Sequence, residues 1–303
     1  MKLIELHAHT YYSRGTYLSY DACDSPEEMV DEAYRKGFSG IAITDHNTTK
    51  GFSRAFQRSK KYRDFIVIPG MELDVKLGKR YAHLLLLSDS PKFPHFNPGE
   101  NLEVVLDRAR DENLLSVAAH PCGTLWNYME MDPRNLRTDL VEAYNPFSIY
   151  SINDSLKFAR SGNKFYVAGS DAHTKEMVGL TYNLVYADDE NDLLEKLRKE
   201  QLKCGFTKSL PSLLNSLISS YRRKLILNQQ NLQNLKFHED DALFTLLKIS
   251  GNMKKIMNPL LQTFLKSGRN TPYLPLAAAL AFECNLYLKF ERVKQLVLDR
   301  NIK

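Results

Sequence analysis

The sequence predicts an α/β protein, a distorted barrel of about seven strands followed by a helical C-terminal segment. Two observations predict it. Short apolar runs alternate with helix-like stretches through residue 205, the pattern of strand–helix repeats built on a largely parallel sheet. These runs also end on, or carry, residues of metal-ligand type: His7-Ala-His9, Asp45-His46, Glu72, His83, His120 and Asp171-Ala-His173. Folds of this class place their chemistry at the carboxyl ends of the strands. Seven strands fall one short of an eightfold barrel, and a distorted barrel fits them better than a doubly wound sheet.

The first run, Lys2 to Leu6, feeds directly into His7 and His9. Side chains alternate along a strand, so both imidazoles point the same way. Ser25-Pro26-Glu27-Glu28 has the form of a helix start, with serine as cap and acids in the first turn. That helix runs to Arg35 or Lys36 and stops at Gly37. Strand Gly40 to Thr44 delivers Asp45-His46, and a polar helix follows near 50–61. Strand Phe65 to Ile68 leads through Pro69-Gly70-Met71 to Glu72. Tyr81 to Leu87 carries His83 and pairs back across the Gly78 turn. After a proline-rich loop, a helix spans Leu102 to Glu112 and strand Leu115 to Ala119 presents His120-Pro121. Strand Leu140 to Tyr144 ends at Asn145-Pro146. A helix over 151–161 and strand Phe165 to Ala168 then reach Asp171 and His173, and a helix near 192–201 closes the series.

The barrel unit is therefore assigned to residues 1–205 and a helical extension of unknown role to 206–303. Helices are expected at 210–230, 240–250, 259–267 and 274–301, between Asn, Gly and Pro breaks. This extension reads as a cap or as a surface for a homo-oligomer. Its Arg222-Arg223-Lys224 cluster reads as a solvated helix face, with polyanion binding as the alternative.

With 303 residues, 43% hydrophobic and 25% charged, the chain is long enough for a substantial core and is not of disordered composition. A net charge of +5 without a basic block does not imply nucleic-acid binding and suits phosphorylated small molecules equally well. Four cysteines without a Cys-x-x-Cys unit read as separate thiols of a reducing compartment. With no signal-peptide pattern, the expected location is the cytoplasm. The run Leu274 to Leu288 contains Pro275, Glu283 and Asn285 and is too short and polar to span a membrane.

Six of the eight histidines fall at or beside the strand ends, leaving His95 in a loop and His238 in the tail. Imidazoles mixed with carboxylates suit zinc, manganese or iron. His7, His9, Glu72 and Asp171 could hold one ion while Glu72, His83 and His120 hold a second. Two ions about 3.5–4 Å apart can activate water and stabilise a phosphoryl centre. Each residue also has a plainer reading. His83 could be a satisfied core histidine, Glu72 a surface carboxylate, His46 a loop cap, and His120 a strand stop before proline. The coincidence of all six endings favours the metal site.

The ordered set His7-x-His9, Thr44-Asp-His46, Gly70-Met-Glu72, His83, Ala119-His-Pro121 and Ser170-Asp-Ala-His173 resembles the polymerase and histidinol phosphatase (PHP) domain family. The likeness is greatest to its stand-alone metal-dependent phosphoesterases and covers about residues 1–205. The resemblance implies a barrel of PHP type with two or three divalent ions and hydrolysis of a phosphate ester by metal-activated water. It implies a third site at His46 and His173, and catalytic work for His46, Asp171 and His173. Family members usually carry an aspartate where this chain has Arg14. Either Asp21 or Asp24 replaces it, or the third site is weak and Arg14 contacts substrate phosphate. Asp45 reads as orienting a histidine. Glu142 and Asn145 could position water or substrate, Lys79 and Arg80 could contact phosphate, and Trp126, Tyr128 and Met129 could wall the pocket.

The expected substrate is a nucleotide, a short oligonucleotide or a small metabolite phosphate. Two other classes compete. An amidohydrolase-like metal hydrolase also begins with His-x-His but typically adds a bridging lysine or further histidines, which the Glu72 position opposes. A non-catalytic subunit of an RNA-processing complex would not need the nearly complete ligand set.

Overall fold

The computed structural model describes residues 1–13, 22–123, 128, 131–187, 190–209 and positions 212, 213, 216, 217, 220 and 223. The chain divides into two compact units, Met1–Leu227 and Asn228–Lys303. The second unit, with the helices expected at 240–250, 259–267 and 274–301, lies outside the described residues, as do Arg14, Asp21, Trp126, Met129 and His238.

The first unit opens with β1 (Lys2–Glu5), α1 (Pro26–Arg35), β2 (Gly40–Ile43) and α2 (Phe52–Ser59). The long β3 (Ile66–Leu77) turns into β4 (Arg80–Leu87), and the short β5 (Glu100–Asn101) precedes α3 (Leu102–Asp111). Then come β6 (Leu115–Ala118), β7 (Leu140–Tyr144), α4 (Ile152–Ser161) and β8 (Phe165–Ala168). The series ends with β9 (Thr181–Val185), α5 (Glu190–Lys199) and β10 (Lys203–Phe206). The main path of the sheet runs β10-β9-β1-β2-β3-β4-β6-β7-β8, with β5 on β3.

Local chemistry explains the element boundaries. Ser25 caps α1 by accepting from Glu28 N at 3.2 Å, while the Glu28 carboxylate accepts from Ser25 N at 3.0 Å, a capping box. Asn101 caps α3 through Glu103 N at 2.9 Å. The β3–β4 hairpin turns on Gly78, whose φ of +61° suits the first central position of a tight hairpin turn. Leu84 and Leu86 join one core with α3 and α4, whereas Leu85 and Leu87 join another with Ile4, Ile68, Val117 and Val167. That two-sided burial accounts for the unbroken run Leu84 to Leu87. Leu193, Leu194 and Leu197 of α5 pack into the same second core.

The sheet has more strands than the seven expected. β9 pairs antiparallel with β1 through Leu3↔Leu184, and β10 pairs antiparallel with β9. β9 escapes a hydrophobic-pattern reading because its buried positions include Thr181 and Asn183. Asn183 has a job there. Its Nδ2 donates to Ala168 O at 2.7 Å and its Oδ1 accepts from Ala168 N at 2.9 Å, so a side chain joins β8 to β9 where no ladder exists. The barrel-shaped sheet is thereby nearly closed. Among the described residues, no helix is long and apolar enough to cross a membrane.

Candidate metal centre

The carboxyl ends of β1, β2, β6 and β8 converge with the middle of β3 and β4. His7 and His9 follow β1, and their Nε2 atoms lie 3.0 Å apart. Which nitrogens carry protons follows from their outer partners. The Nδ1 of His7 is 2.9 Å from Glu142 Oε1, a group that accepts, so the ring donates there. Ser13 Oγ donates to Asp45 Oδ1 at 2.8 Å and accepts from His9 Nδ1 at 3.0 Å. Both Nε2 atoms are left as lone pairs aimed inward, the arrangement that a metal-binding histidine needs.

Two carboxylate oxygens meet those lone pairs. Glu72 Oε2 is 3.3 Å from each Nε2, and Asp171 Oδ1 is 3.5 and 3.2 Å from His7 and His9 respectively. Both oxygens are buried without a hydrogen bond. Two imidazole nitrogens and two carboxylate oxygens facing one another make an electron-rich cradle that a cation, or protons on the rings in its place, would balance. His7, His9, Glu72 and Asp171 therefore form a donor set that could hold an ion. A second set consists of His46, Glu72 and His83, and a third of His9, His46 and His173. His120 borders the second, with its Nε2 3.2 Å from Glu72 Oε1 and 3.4 Å from His83 Nδ1. Glu72 thus belongs to the first and second sets, and the second is completed by His46 where the sequence expects His120. His9 and His46 are each shared as well.

The electrostatics match. Burial opposes the charge on Glu72 and Asp171, yet the surrounding imidazoles hold both carboxyls well below the usual carboxylate range. Burial pushes His9 down, but the facing carboxylates of Asp171 and Glu72 outweigh it and bring the ring up to about 9. Burial also opposes the charge on His83, which Glu72 and Asp74 bring up to about 10. In the ion-free chain, protons on the rings balance the carboxylates that an ion would otherwise neutralise.

Several positioning groups surround the donors. Glu142 Oε1 holds His7, while its Oε2 accepts from His120 N and Asn145 Nδ2, each at 2.9 Å. Asn145 Nδ2 also reaches Asp171 Oδ2 at 3.3 Å. Glu142 and Asn145, for which the sequence leaves open both positioning of water or substrate and a structural role, are buried props behind the donors. A Cβ on Gly169 would come within 1.9 Å of Glu142 Oε1, so only glycine permits this approach. Asp45 acts on His9 through Ser13 and also accepts from Thr10 N at 2.6 Å. Sequence reasoning missed Ser13, Thr10 and Asp74. Asp74 Oδ1 lies 3.3 Å from His83 Nε2, which turns His83 Nδ1 toward Glu72 at 2.8 Å. Strand alternation signals it, since Glu72-x-Asp74 shares a face just as His7-x-His9 does.

Other expected residues lie elsewhere. Asp24 is fully buried, but its carboxylate is bound by Arg223 at 2.6 and 2.7 Å and by Lys175 N at 2.8 Å, outside all three donor sets. With both oxygens so engaged, Asp24 stands apart from the donor sets, while Arg14 and Asp21, the other parts of that expectation, lie outside the described residues. Lys79 and Arg80 sit on an exposed turn, and His95 bonds Asn97 in an exposed loop. Tyr128 is buried beneath the site, its hydroxyl donating to His83 O at 2.9 Å. His120 and Asp171 have positive φ, 29° and 48°. Such backbone strain in non-glycine residues concentrates at functional sites.

Comparison with known proteins agrees with this geometry. Residues 5–96 match the PHP domain family, and residues 153–202 match a PHP-associated region. An uncharacterized protein of Methanocaldococcus jannaschii is 29% identical over 147 residues, 47% of this chain and 81% of the relative. An error-prone DNA polymerase of Mycobacterium bovis is 35% identical over 95 residues, 29% of this chain but only 8% of the polymerase. The fold resembles PsfC from Pseudomonas syringae, with a TM-score of 0.57 at 16% identity, covering 75% of this chain and 98% of PsfC. It also resembles a two-domain Bacteroides vulgatus protein containing a predicted PHP-like metal-dependent phosphoesterase, with a TM-score of 0.52 at 16% identity, covering 72% of this chain and 69% of that one. The donor set, its order along the chain and the match of residues 5–96 point the same way: this part of the chain is similar to the PHP domain family.

Proposed function

We propose that the chain is a metal-dependent phosphoesterase that hydrolyses a phosphate ester of a nucleotide, a short oligonucleotide or a small metabolite. One observation carries the reading: the four inward acceptors of His7, His9, Glu72 and Asp171, two of them buried oxygens without a hydrogen bond. His7, His9, Glu72 and Asp171 would hold one divalent ion, Glu72, His83, His120 and His46 a second, and His9, His46 and His173 a third. Manganese, zinc or iron bound there would acidify a water and neutralise the charge of a phosphoryl group.

The protein's own part is preorganisation. Glu142 and Ser13 fix the tautomers of His7 and His9, and Asp74 fixes that of His83, so each inward nitrogen is ready without rearrangement. His173 donates from Nδ1 to Asp171 O at 2.9 Å, which leaves its Nε2 as the available lone pair. The error-prone DNA polymerase relative and the PHP-like phosphoesterase containing the same fold support a phosphate ester over a carbon–nitrogen bond as substrate. The test is metal content together with activity on nucleoside monophosphates, short oligonucleotides and sugar phosphates. Chelation should abolish hydrolysis, manganese or zinc should restore it, and His9→Ala should remain inactive. Hydrolysis indifferent to both treatments would refute the proposal.

A further inference from the structure

Leu213, Leu217, Ser220 and Arg223 lie against the loop that carries Asp171 and His173. Ser212, Leu213, Ser216, Leu217, Ser220 and Arg223 are helical, and Leu213, Leu217, Ser220 and Arg223 recur at the spacing of one helix face. Leu213 and Leu217 are buried in a core with Ala172, Met177 and Val178 from that loop and Met29 and Val30 from α1. Ser220 Oγ accepts from Thr174 Oγ1 at 3.0 Å, with both side chains buried. Arg223 then makes a two-pronged contact with Asp24, at 2.6 and 2.7 Å, and a further contact with Glu176 at 3.1 Å. Asp24 accepts from Lys175 N at 2.8 Å, and the neighbouring Cys23 N donates to His173 O at 3.2 Å. One guanidinium therefore ties together the loop after His9, the loop after β8 and the chain that follows the barrel.

We propose that Arg223 is a positioning residue, and that Leu213, Leu217, Ser220 and Arg223 together clasp the Asp171–His173 loop so that its donors face the other imidazoles. The Arg222-Arg223-Lys224 cluster is thus not simply a solvated face, because its middle residue points inward. A planar bidentate guanidinium on a fully buried carboxylate leaves Asp24 one geometry, whereas a lysine would supply charge without the fork. The inference rests on reading Asp171 and His173 as metal ligands. Its effect should appear most strongly where His173 meets His9 and His46.

The test uses the full chain, titrated with Mn²⁺ and with Co²⁺, whose visible spectrum reports the ligand field. Arg223→Met should bind the weakest ion at least tenfold less tightly and alter the Co²⁺ spectrum. Arg223→Lys should recover part of both, and Asp24→Asn, which keeps an acceptor for Lys175 N, should fall between. The same affinity and spectrum in Arg223→Met as in the unaltered chain would overturn the clasp while leaving the metal site intact. An unaltered chain that takes up neither ion would overturn the metal reading and the clasp together. If Arg223→Met fails to fold, Arg223→Lys and Asp24→Asn decide, and unchanged titrations in both would refute the proposal.

Discussion

Four buried carboxylates near the same end of the barrel behave in two opposite ways. Glu5 and Asp45 are closed off by donors. Glu5 accepts from the backbone N–H groups of His7, Ser170 and Gly179, at 3.1, 2.9 and 3.0 Å. Asp45 accepts from Thr10 N, Thr10 Oγ1 and Ser13 Oγ. Burial raises the pKa of both despite those bonds. Glu72 and Asp171 are also buried, but each turns one oxygen without a hydrogen bond toward imidazole nitrogens, and both are held well below the ordinary range. The first pair fastens strands and loops together, and the second pair surrounds a place for positive charge. Burial alone therefore does not separate structural from functional carboxylates; the identity of the facing groups does.

Glu72→Gln should break this contrast most severely. It removes the charge shared by two donor sets and should strip bound metal. Losing several kcal/mol of transition-state stabilisation from a Lewis acid corresponds to a rate loss of about a thousandfold. Elemental analysis and kcat on the best phosphate ester would check it, and full metal content with normal kcat would refute it. Glu142→Gln is milder, since it touches the ion only through His7, His120 N and Asn145. A loss of about 10–100-fold in metal affinity is expected, the usual cost of altering a group that orients a ligand. Asp74→Asn should fall in the same range, in the same metal titration. Glu5→Gln should do the reverse of Glu72→Gln. One backbone N–H loses its acceptor, so stability should fall by about 1–3 kcal/mol, or about 2–4 °C in Tm per kcal/mol for a unit of this size. Metal content should not change. If Glu5→Gln lost metal before it lost stability, the division between the two pairs would be wrong.

The donors were legible in the sequence because strand alternation and strand endings are local. His7 and His9 announce a shared face two residues apart, and the cap of α1 lies wholly within Ser25 to Glu28. β9 was not legible because Thr181 and Asn183 occupy positions where a pattern reading expects apolar residues, and their value lies in distant contacts, Asn183 with β1 and β8 and Thr181 with Ser170 just beyond β8. The role of Asp24 was illegible for a stronger reason. Its partner Arg223 lies 199 residues away, and no local pattern distinguishes an aspartate awaiting a metal from one awaiting a distant guanidinium. Asp74 is intermediate. Alternation places it with Glu72, but only the β3–β4 register, which sets Asp74 opposite His83, reveals what it holds.

The smallest expected effect is also the most direct reading of the charge around Glu72. Unfolded imidazoles lose their protons near pH 6.5, whereas in the ion-free folded chain His9 keeps its proton to about 9 and His83 to about 10. Between those limits the folded state binds more protons than the unfolded one, so stability falls as pH rises. The contribution is complete below about pH 6.5 and is lost as pH passes through the two folded values. A divalent ion takes the place of these protons, so its affinity should rise over the same range. Thermal melts of the chelated chain should therefore decline by a few degrees from neutral pH toward pH 10, while melts of the metal-loaded chain should not. Glu72→Gln supplies the control. Glu72 is the leading group that raises His83 against burial, so removing its charge should shrink the decline and start it at lower pH. An equal decline in Glu72→Gln would assign it to lysine and tyrosine titration elsewhere, and the contrast between the two carboxylate pairs would lose its electrostatic basis.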